Sequence, residues 1–470
     1  LEGAHERGLR VIMDLVINHS STEHEWFRLS REKGDPHRDY YFWRPPRRGH
    51  NGARKEPSNW DSLFGGEAWE YDEQLGEYYL HIFAKGQADL NHDNPAVRAE
   101  MADIMRFWLD MGVDGFREDA VVYISKEPGL PDQFPRRPAA NGLKKYCGGP
   151  RLHDYLRFYR SAVADYDCLV IGEADNIPLR EAAGFMESGE LDMMLTFDHM
   201  RADCVGTDFI RRGFSVKKFK RALSAWQTGL AGRGWNALYL ENHDHARVIS
   251  RYGSEEYRVE SGKALAASYM LLSGTPFVYQ GQEIGMTNLR LPRADMYPDV
   301  MTRGQVRLAS RWLPEKAVLR LAQDSARESS RTPMQWTAGK NAGFTEGEPW
   351  FYVNENCRSV NVEAAEADEN SLLNFYRELI AFRKREPTVR YGSYTELIPQ
   401  SPNFYCYVRE YENRRLLVIA SLVPRETYFT CPEGFNLLDG ELVLKNHELN
   451  VVVNNAFTAR PYELRVYLFE

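Results

Sequence analysis

The chain alternates two hydrophobic patterns along most of its length. Apolar runs rich in Val, Ile and Leu end in polar residues, and six of them are long enough for buried strands: 9–18, 113–120, 168–175, 191–200, 235–244 and 274–283. Between these runs, apolar residues recur every three or four positions and predict helices over 94–112, 152–166, 216–230 and 257–272. This alternation predicts an α/β architecture with a parallel sheet.

The polar ends of the strands favour a (β/α)8 TIM-type barrel, because the sites of such barrels lie at the carboxyl ends of the strands. Only six of the eight strands can be recognised, and the chain begins at Leu1, without Met and inside a helical pattern. We therefore expect the first two β/α units of the barrel to be missing from this chain.

Two regions break the alternation and predict further domains. Residues 19–86 are rich in Trp, Tyr, Pro, Gly and charge, which predicts an inserted domain of loops and short strands. Residues 284–350 are predicted as loops, 371–387 as a last amphipathic helix, and the end of the chain as antiparallel strands. The predicted domains are a catalytic barrel (1–18 and 87–388), an inserted domain B (19–86) and a C-terminal β-sandwich (389–470).

The strand "VDGFREDA", residues 113–120, contains three charged residues in an apolar setting. Side chains of a strand alternate between its two faces, so Arg117 and Asp119 share the face of Gly115, and Glu118 points to the other. An arginine beside an aspartate can hold the carboxylate ionised and oriented, although an isolated Arg-x-Asp pair is more often structural. Nothing in the sequence explains Glu118.

Acids recur at the carboxyl ends of the predicted strands. Asp119, Glu173 and Asp244 end three of them, and Asp14 and His19 mark a fourth. Taken singly, each has a structural explanation, such as a buried acid or a helix cap. Converging like charges are nevertheless hard to explain by stability, and they suit metal-assisted chemistry or glycoside hydrolysis.

Glycoside hydrolysis is the better match, because Arg117 would compete with a metal cation for the key acid. This reaction needs one ionised carboxylate and one carboxylic acid. We expect Asp119, paired with Arg117, to be the ionised group. Glu173 follows the apolar run "LVIG" and has no cationic neighbour in the sequence, so we expect it to hold the proton. The aromatic residues of 19–86 would offer flat faces to sugar rings.

Composition narrows the set of partners. The chain has 470 residues, a net charge of −8 and no long basic run, so neither nucleic acid nor an anionic membrane is expected as a partner. Six scattered cysteines without a CxxC pair suit a reducing cytoplasm. The longest apolar stretch is too short and too interrupted to span a membrane. We expect a cytoplasmic monomer or weak homo-oligomer.

The motifs of this chain resemble those of the α-amylase superfamily, glycoside hydrolase family 13, along essentially its whole length. Four of its signatures are similar to "DLVINH" (14–19), "GFREDAV" (115–121), "IGEAD" (171–175) and "ENHD" (241–244). A fifth is similar to "QADLN" (87–91), which follows domain B. "GTPFVYQGQEIGM" (274–286) and "RTPMQW" (331–336) resemble the oligo-1,6-glucosidase and α-glucosidase branch.

The resemblance implies a role for each matching residue. Asp119 would be the nucleophile, Glu173 the general acid/base and Asp244 the stabiliser of the transition state. Arg117 would position Asp119. The remaining residues would bind the sugar, with Arg331 closing the pocket: Asp14, His19, His243 and Arg331. The implied enzyme is exo-acting on short oligosaccharides, retains anomeric configuration and needs no cofactor, and any cation site of the family would lie in the missing N-terminal segment.

The linkage specificity stays open at the sequence level. Ala120 follows the implied nucleophile, where α-1,6-specific members usually have Val, whereas "YISKEPGLPD" (123–132) resembles the oligo-1,6 branch. Trehalose-6-phosphate hydrolases and transglucosylases share the same catalytic residues. A non-catalytic relative, such as the heavy chain of amino-acid transporters, or a sugar-binding module would not need the set Asp119, Glu173 and Asp244.

Overall fold

The computed structural model describes residues 1–49, 52–137, 140–205 and 207–470. Residues 50–51 of the predicted domain B therefore lie outside the described residues. The chain divides into two compact units, unit 1 (Leu1–Thr196) and unit 2 (Phe197–Glu470). In the described chain, no helix has both the length and the apolar character needed to cross a bilayer.

Unit 1 contains strands and helices in mixed order. Its strands are β1 (Ile12–Val16), β2 (His19–Ser21), β3 (Trp43–Arg44), β4 (Arg47–Arg48), β5 (Arg54–Lys55), β6 (Trp69–Asp72), β7 (Glu77–Leu80), β8 (Gln87–Asp89), β9 (Gly115–Asp119), β10 (Leu169–Glu173) and β11 (Met193–Leu195). Its helices are α1 (Glu2–His5), α2 (Glu25–Ser30), α3 (Pro95–Asp110), α4 (Leu143–Tyr146), α5 (Leu152–Ala162) and α6 (Leu179–Glu187).

Four strands of unit 1 form a parallel sheet in the order β1-β9-β10-β11. Each lies within one of the predicted apolar runs, so the predicted parallel pairing is confirmed here. Gly115 allows β9 and β10 to approach closely: its φ is +153°, and a Cβ there would lie 2.1 Å from the carbonyl oxygen of Leu169. The glycine of the "GFRED" segment is therefore a packing requirement.

Helix α3 follows the predicted pattern closely. The side chain of Asn94 caps it by accepting a hydrogen bond from the Ala96 N–H at 2.9 Å, and Pro95 occupies the first turn. Met101 and Met105 are buried as predicted, while Trp108 is half-buried and Leu109 is buried in its place. The helix thus ends its buried stripe one residue later than the spacing predicted.

The segment between β1 and α3 forms small antiparallel sheets with the orders β2-β8, β3-β7-β6 and β4-β5. The prediction that its aromatic residues offer faces to sugar rings was wrong for three tryptophans. Trp43, Trp60 and Trp69 are 6%, 0% and 3% exposed. A small domain has little aliphatic core, and its large aromatic side chains fill the interior instead.

Unit 2 ends in a β-rich region. Its strands are β12 (Cys204–Val205), β13 (Thr207–Arg211), β14 (Ala237–Leu238), β15 (Thr275–Pro276), β16 (Ser393–Glu396), β17 (Phe404–Tyr411), β18 (Arg414–Ser421), β19 (Thr427–Thr430), β20 (Glu441–Lys445), β21 (Ala456–Ala459) and β22 (Leu464–Phe469). Its helices are α7 (Val216–Gly229), α8 (Val248–Arg251), α9 (Arg258–Met270), α10 (Val300–Ala309), α11 (Glu315–Ser325), α12 (Val362–Ala367), α13 (Leu372–Arg385) and α14 (Pro387–Tyr391).

Strands β14 and β15 pair in parallel, so all six predicted runs contain a strand. The described pairings join four of these strands in unit 1 and two in unit 2, and a closed eight-stranded barrel is not among them. The prediction of loops over 284–350 was wrong for α10 and α11. Among the apolar residues of these two helices, only Ala309, Val318 and Ala322 are buried.

The C-terminal strands form an antiparallel sheet in the order β16-β17-β18-β22-β20, and β19 pairs with β21. Side-chain alternation divides the sheet between two cores. Tyr405 and Tyr407 pack with residues of α9 and α13, whereas Phe404 and Cys406 pack with residues of β19 and β21. The alternating pattern of the sequence therefore predicted this antiparallel region correctly.

Candidate active site

Arg117 on β9 collects three carboxyl groups in unit 1. Its Nη1 lies 2.7 Å from Asp14 Oδ1 and 2.5 Å from Asp119 Oδ1. Its Nη2 lies 2.5 Å from Glu173 Oε1. Because β1, β9 and β10 are neighbours in one parallel sheet, residues distant in sequence meet at this guanidinium. The structure thus brings four of the predicted site residues together.

The electrostatics of this group centre on Arg117, whose side chain is 14% exposed. Burial disfavours the cation, but Glu173, Asp119 and Asp14 outweigh burial and raise the pKa of Arg117 above its ordinary value. Three carboxyl groups share one guanidinium, so acid groups are in excess. Such an excess favours positive charge that develops on a bound molecule.

Glu173 has no cationic neighbour in the sequence, but the structure places Arg117 beside it. Ile171 lies opposite Arg117 in the β9–β10 register, and Glu173 follows on the same face of β10, two residues further on. The Arg117 side chain therefore reaches across the strand pair to Glu173. Cross-strand neighbours of this kind depend on register, which a single sequence does not display.

The chain leaves β9 through a left-handed residue. Ala120 has φ 50° and ψ 31°, a conformation that disfavours residues with a Cβ. Its backbone N–H donates a hydrogen bond to Glu173 Oε2 at 3.3 Å. The turn after Asp119 therefore holds the second oxygen of the neighbouring carboxyl group.

His19 lies at the start of β2, opposite the fifth motif. Its side chain is held by Gln87, whose amide donates to His19 Nε2 at 2.8 Å while its Oε1 accepts from the Ala84 N–H. Burial lowers the pKa of His19, with the nearby Asp89 and Asp119 opposing this effect. His19 is 8% exposed, so little of its ring faces solvent.

A buried ion pair lies behind His19. Lys126 Nζ is 2.7 Å from Asp89 Oδ1 and donates to Asn18 Oδ1 at 3.0 Å. Asp89 Oδ2 also accepts from the Ile82 N–H at 2.8 Å. Both charged side chains are at most 1% exposed, so the geometry is fixed by a fully buried network.

Glu118 points away from the site, as side-chain alternation predicted. It is 1% exposed, and its Oε2 has no hydrogen-bond partner among the described residues. Burial raises the pKa of Glu118 to about 8, with Arg160 opposing the shift. Glu118 is therefore mainly a neutral carboxylic acid at pH 7.

The predicted site residues of unit 2 meet around Asp244. Arg331 Nη2 donates to Asp244 Oδ1 at 2.9 Å, and Arg331 Nε donates to the carbonyl oxygen of His243 at 2.9 Å. His243 Nε2 lies 3.4 Å from Asp244 Oδ2. The backbone N–H of Asp244 donates to Asn242 Oδ1 at 2.8 Å, which fixes the turn after β14.

Two residues of this cluster were missed by the sequence analysis. Arg327 Nη1 donates to Asp244 Oδ1 at 2.8 Å, and Arg327 Nε lies 2.8 Å from Asp299 Oδ1. Asp299 Oδ2 also accepts from Arg331 Nη1 at 3.3 Å. The signal available was the four-residue spacing of Arg327 and Arg331, whereas nothing in the sequence marked Asp299.

The neighbours of Asp244 favour its ionised form. Burial opposes the carboxylate, but His243, Arg327 and Arg331 lower the pKa of Asp244 below its usual value. A second buried ion pair supports the segment: Arg247 Nη1 donates to Glu241 Oε2 at 3.0 Å, and both side chains are at most 1% exposed. Glu241 is the first residue of the "ENHD" motif.

In the part of the chain that the structure describes, no group of three or more His, Cys, Asp or Glu residues is arranged to hold a metal ion. The clustered carboxyl groups of unit 1 surround an arginine instead. The arrangement can bind a polar molecule, supply a carboxylate nucleophile and transfer a proton.

Comparison with known proteins defines the class of this protein. A family model described as the catalytic domain of alpha amylase matches residues 1–392. The chain belongs to the α-amylase family of glycoside hydrolases, as its motifs indicated, and is a glycoside hydrolase. Its fold is that of the family, a TIM barrel with a domain B and a C-terminal β-domain.

Several relatives match nearly the whole chain. An oligo-1,6-glucosidase of Parageobacillus thermoglucosidasius is 42% identical over 99% of this chain and 84% of the relative. A trehalose-6-phosphate hydrolase of Bacillus subtilis (strain 168) is 41% identical over 99% of this chain and 83% of the relative.

Solved structures give the same picture. The trehalose-6-phosphate hydrolase of Bacillus licheniformis superimposes with a TM-score of 0.90 at 37% identity, covering 100% of this chain and 85% of that one. The isomaltulose synthase of Klebsiella sp. LX3 has a TM-score of 0.92 at 34% identity, covering 99% of this chain and 84% of that one.

Proposed function

We propose that this glycoside hydrolase is an exo-acting, retaining α-glucosidase that releases glucose from the ends of short isomalto- or malto-oligosaccharides. One observation carries the proposal. Asp119 and Glu173 contact the two terminal nitrogens of the Arg117 guanidinium, each at 2.5 Å. Retaining glycosidases need two carboxyl groups close together, one on each side of the bond that is cleaved.

The proposed reaction has two steps. Asp119 attacks the anomeric carbon and forms a covalent bond to it, while Glu173 in its protonated form donates its proton to the leaving glycosidic oxygen. A water molecule then attacks the same carbon, Glu173 accepts a proton from that water, and the bond to Asp119 breaks. Two inversions at one carbon give net retention, and no cofactor is required.

The remaining residues would bind the sugar. From the matching motifs, we propose sugar-binding roles for Asp14 and His19, and for His243, Asp244 and Arg331. Asp244 supports this assignment because its pKa is lowered, so the carboxylate can accept hydrogen bonds from ring hydroxyls across a wide pH range. His19 would contact the sugar mainly through the edge of its ring, because its Nε2 is already bonded to Gln87.

A trehalose-6-phosphate hydrolase is the second candidate, favoured by the 41% identity to such an enzyme of Bacillus subtilis. We propose a cytoplasmic location for either enzyme. None of the six cysteines, all of them within the described residues, forms a disulfide, and such usage is typical of a reducing compartment. We further propose that the enzyme acts as a monomer or weak homo-oligomer.

Glucose release from isomaltose, maltose and trehalose 6-phosphate, measured side by side at equal concentration, tests the proposal. Faster cleavage of either neutral disaccharide supports the α-glucosidase and identifies its linkage. Preferred cleavage of the phosphate ester of trehalose supports the second candidate. NMR of the first product formed should show α-glucose, and initial release of β-glucose would contradict the retaining mechanism.

A further inference from the structure

Asp244 belongs to a closed network of two carboxylates and two arginines within unit 2. Arg327 and Arg331 each bridge the same two acids, Asp244 and Asp299. All four ion-pair distances lie between 2.8 and 3.3 Å. Neither Arg327 nor Asp299 belongs to the residues assigned to the sugar.

Backbone contacts fix Asp299 in this network. Asp299 caps α10, because its Oδ1 accepts from the Met301 N–H at 2.9 Å. Its own N–H donates to Glu328 Oε1 at 2.9 Å, and Thr302 Oγ1 donates to Glu328 Oε2 at 2.7 Å. Glu328 directly follows Arg327 and is 3% exposed. The start of α10 and the segment that carries Arg327 are therefore tied to each other.

The network restricts one oxygen of Asp244 and leaves the other outside it. Both arginines donate to Oδ1, at 2.8 and 2.9 Å, whereas Oδ2 lies 3.4 Å from His243 Nε2. A carboxylate held by two guanidinium groups through one oxygen has its plane and its second oxygen fixed in direction. Fixed direction is what binding a transition state requires.

We propose that Arg327 and Asp299 are positioning residues, which hold Asp244 so that its Oδ2 faces the sugar in the geometry of the transition state. Arg327 does this by direct contact, and Asp299 by fixing both arginines from the other side. This inference rests on the proposed function, in which Asp244 binds ring hydroxyls. It predicts a loss in kcat, because the ground state of the sugar tolerates a misdirected carboxylate better than the transition state does.

Three variants separate positioning from simple stabilisation. Arg327→Gln removes the charge and the two-sided geometry, and Arg327→Lys restores only the charge. Asp299→Asn keeps an oxygen that can cap α10 but removes the charge that holds the arginines. Arg293→Gln is the matched control, because Arg293 forms a similar two-contact pair with Asp295 that is 68% exposed on both sides.

The experiment measures kcat, KM and melting temperature with isomaltose and maltose for each variant of the full chain. We expect Arg327→Gln to lower kcat about 10- to 100-fold with a much smaller change in KM. Arg327→Lys and Asp299→Asn should fall between this variant and the wild type, and Arg293→Gln should match the wild type. A kcat loss at an unchanged melting temperature supports positioning.

Two results would overturn the inference. Wild-type kcat in Arg327→Gln would show that Asp244 does not depend on Arg327. A lowered melting temperature with unchanged kcat per folded molecule would show that the network stabilises the fold but does not position Asp244. Both results leave the proposed function intact if the wild type cleaves these sugars and Asp119→Asn does not. Absence of cleavage by the wild type would instead reject the proposed function.

Discussion

The two charged clusters of this protein, one in each unit, differ in their balance of acid and base. In unit 1, three carboxyl groups share the single guanidinium of Arg117. In unit 2, Asp244 and Asp299 are matched by Arg327 and Arg331. An excess of carboxyl groups suits bond making and proton transfer, whereas a balanced network suits holding one group in place. The difference suggests that the cluster of unit 1 carries out the chemistry and that the cluster of unit 2 serves binding.

The two clusters have similar support. A fully buried ion pair lies behind each one, Lys126–Asp89 in unit 1 and Glu241–Arg247 in unit 2. Burying a pair of charges costs desolvation energy, so such pairs contribute little to net stability. They do fix geometry, since removal of one partner leaves an uncompensated buried charge. The two clusters thus differ in chemistry but are supported by the same kind of buried ion pair.

The largest effect should come from the chemistry of unit 1. Asp119→Asn is expected to lower kcat by a factor on the order of 1,000 or more, because it removes the proposed nucleophile. Glu118→Gln is the matched control, since the adjacent acid is buried on the opposite face of β9. Glucose release from isomaltose and maltose measures both. Equal losses in the two variants would show that the two faces of the strand are not functionally distinct.

The next largest effect is expected from the buried ion pairs that support the two clusters. Lys126→Met and Arg247→Met should each lower the free energy of unfolding by about 3–5 kcal/mol, because each leaves a buried carboxylate without its cation. Urea denaturation measures the change. Arg377→Met serves as the control, because its pair with Glu366 is more than half exposed and should contribute less than about 1 kcal/mol. A cost at Lys126 no larger than at Arg377 would contradict the argument.

The two units should also differ in their response to pH. The raised pKa of Glu118, about 8, means that the native state retains a proton that the unfolded chain releases near its ordinary pKa. Its contribution therefore falls as the pH rises from about 5 to about 8, by at most about 1.4 kcal/mol per pH unit. Glu118→Gln should remove this slope in urea denaturation measured across that range.

Asp244 of unit 2 should behave in the opposite sense. Its pKa is lowered, so the stability that it contributes is present above the ordinary pKa of an aspartate and is lost only as the pH falls through the lower native value. The slope that Glu118 contributes between pH 5 and 8 should therefore persist in Asp244→Asn. A slope that disappears in Asp244→Asn and persists in Glu118→Gln would reverse the assignment.

The smallest effect is expected at the turn after the proposed nucleophile. Ala120→Val places a β-branched residue at φ 50° and should cost about 1–2 kcal/mol. If residue 120 sets the linkage, the ratio of isomaltose to maltose cleavage should rise in this variant. Ala120→Gly, which relieves the left-handed strain, is the control and should leave that ratio unchanged. An unchanged ratio in Ala120→Val would remove residue 120 from the specificity argument.

Local patterns predicted all six strands of the α/β region and most of its helices, but they missed two helices. The six apolar runs contain strands, and the capping residue Asn94 marks the start of α3. Helices α10 and α11 were predicted as loops, and few of their apolar residues are buried. Three of the tryptophans of 19–86 fill a core although the aromatic residues there were expected to face sugars, since composition alone does not distinguish a buried ring from an exposed one.

The candidate site shows the same limit. Sequence motifs named Asp119, Glu173 and Asp244, but the cation beside Glu173, Arg117, could not be recognised from sequence neighbours. Asp299 was not found at all, although it contacts both arginines beside Asp244. Nothing in the sequence marked it, because the helix that it caps was itself missed.

The sequence by itself determined the family, the alternation of strands and helices, and the face on which Arg117 and Asp119 lie. These features depend on residue type and on short periods, which a single chain displays directly. The tertiary structure alone decided which charges meet. Asp14 and Arg117 are 103 residues apart in sequence and 2.7 Å apart in space. Strand register and loop packing bring such pairs together, and neither is written in local spacing.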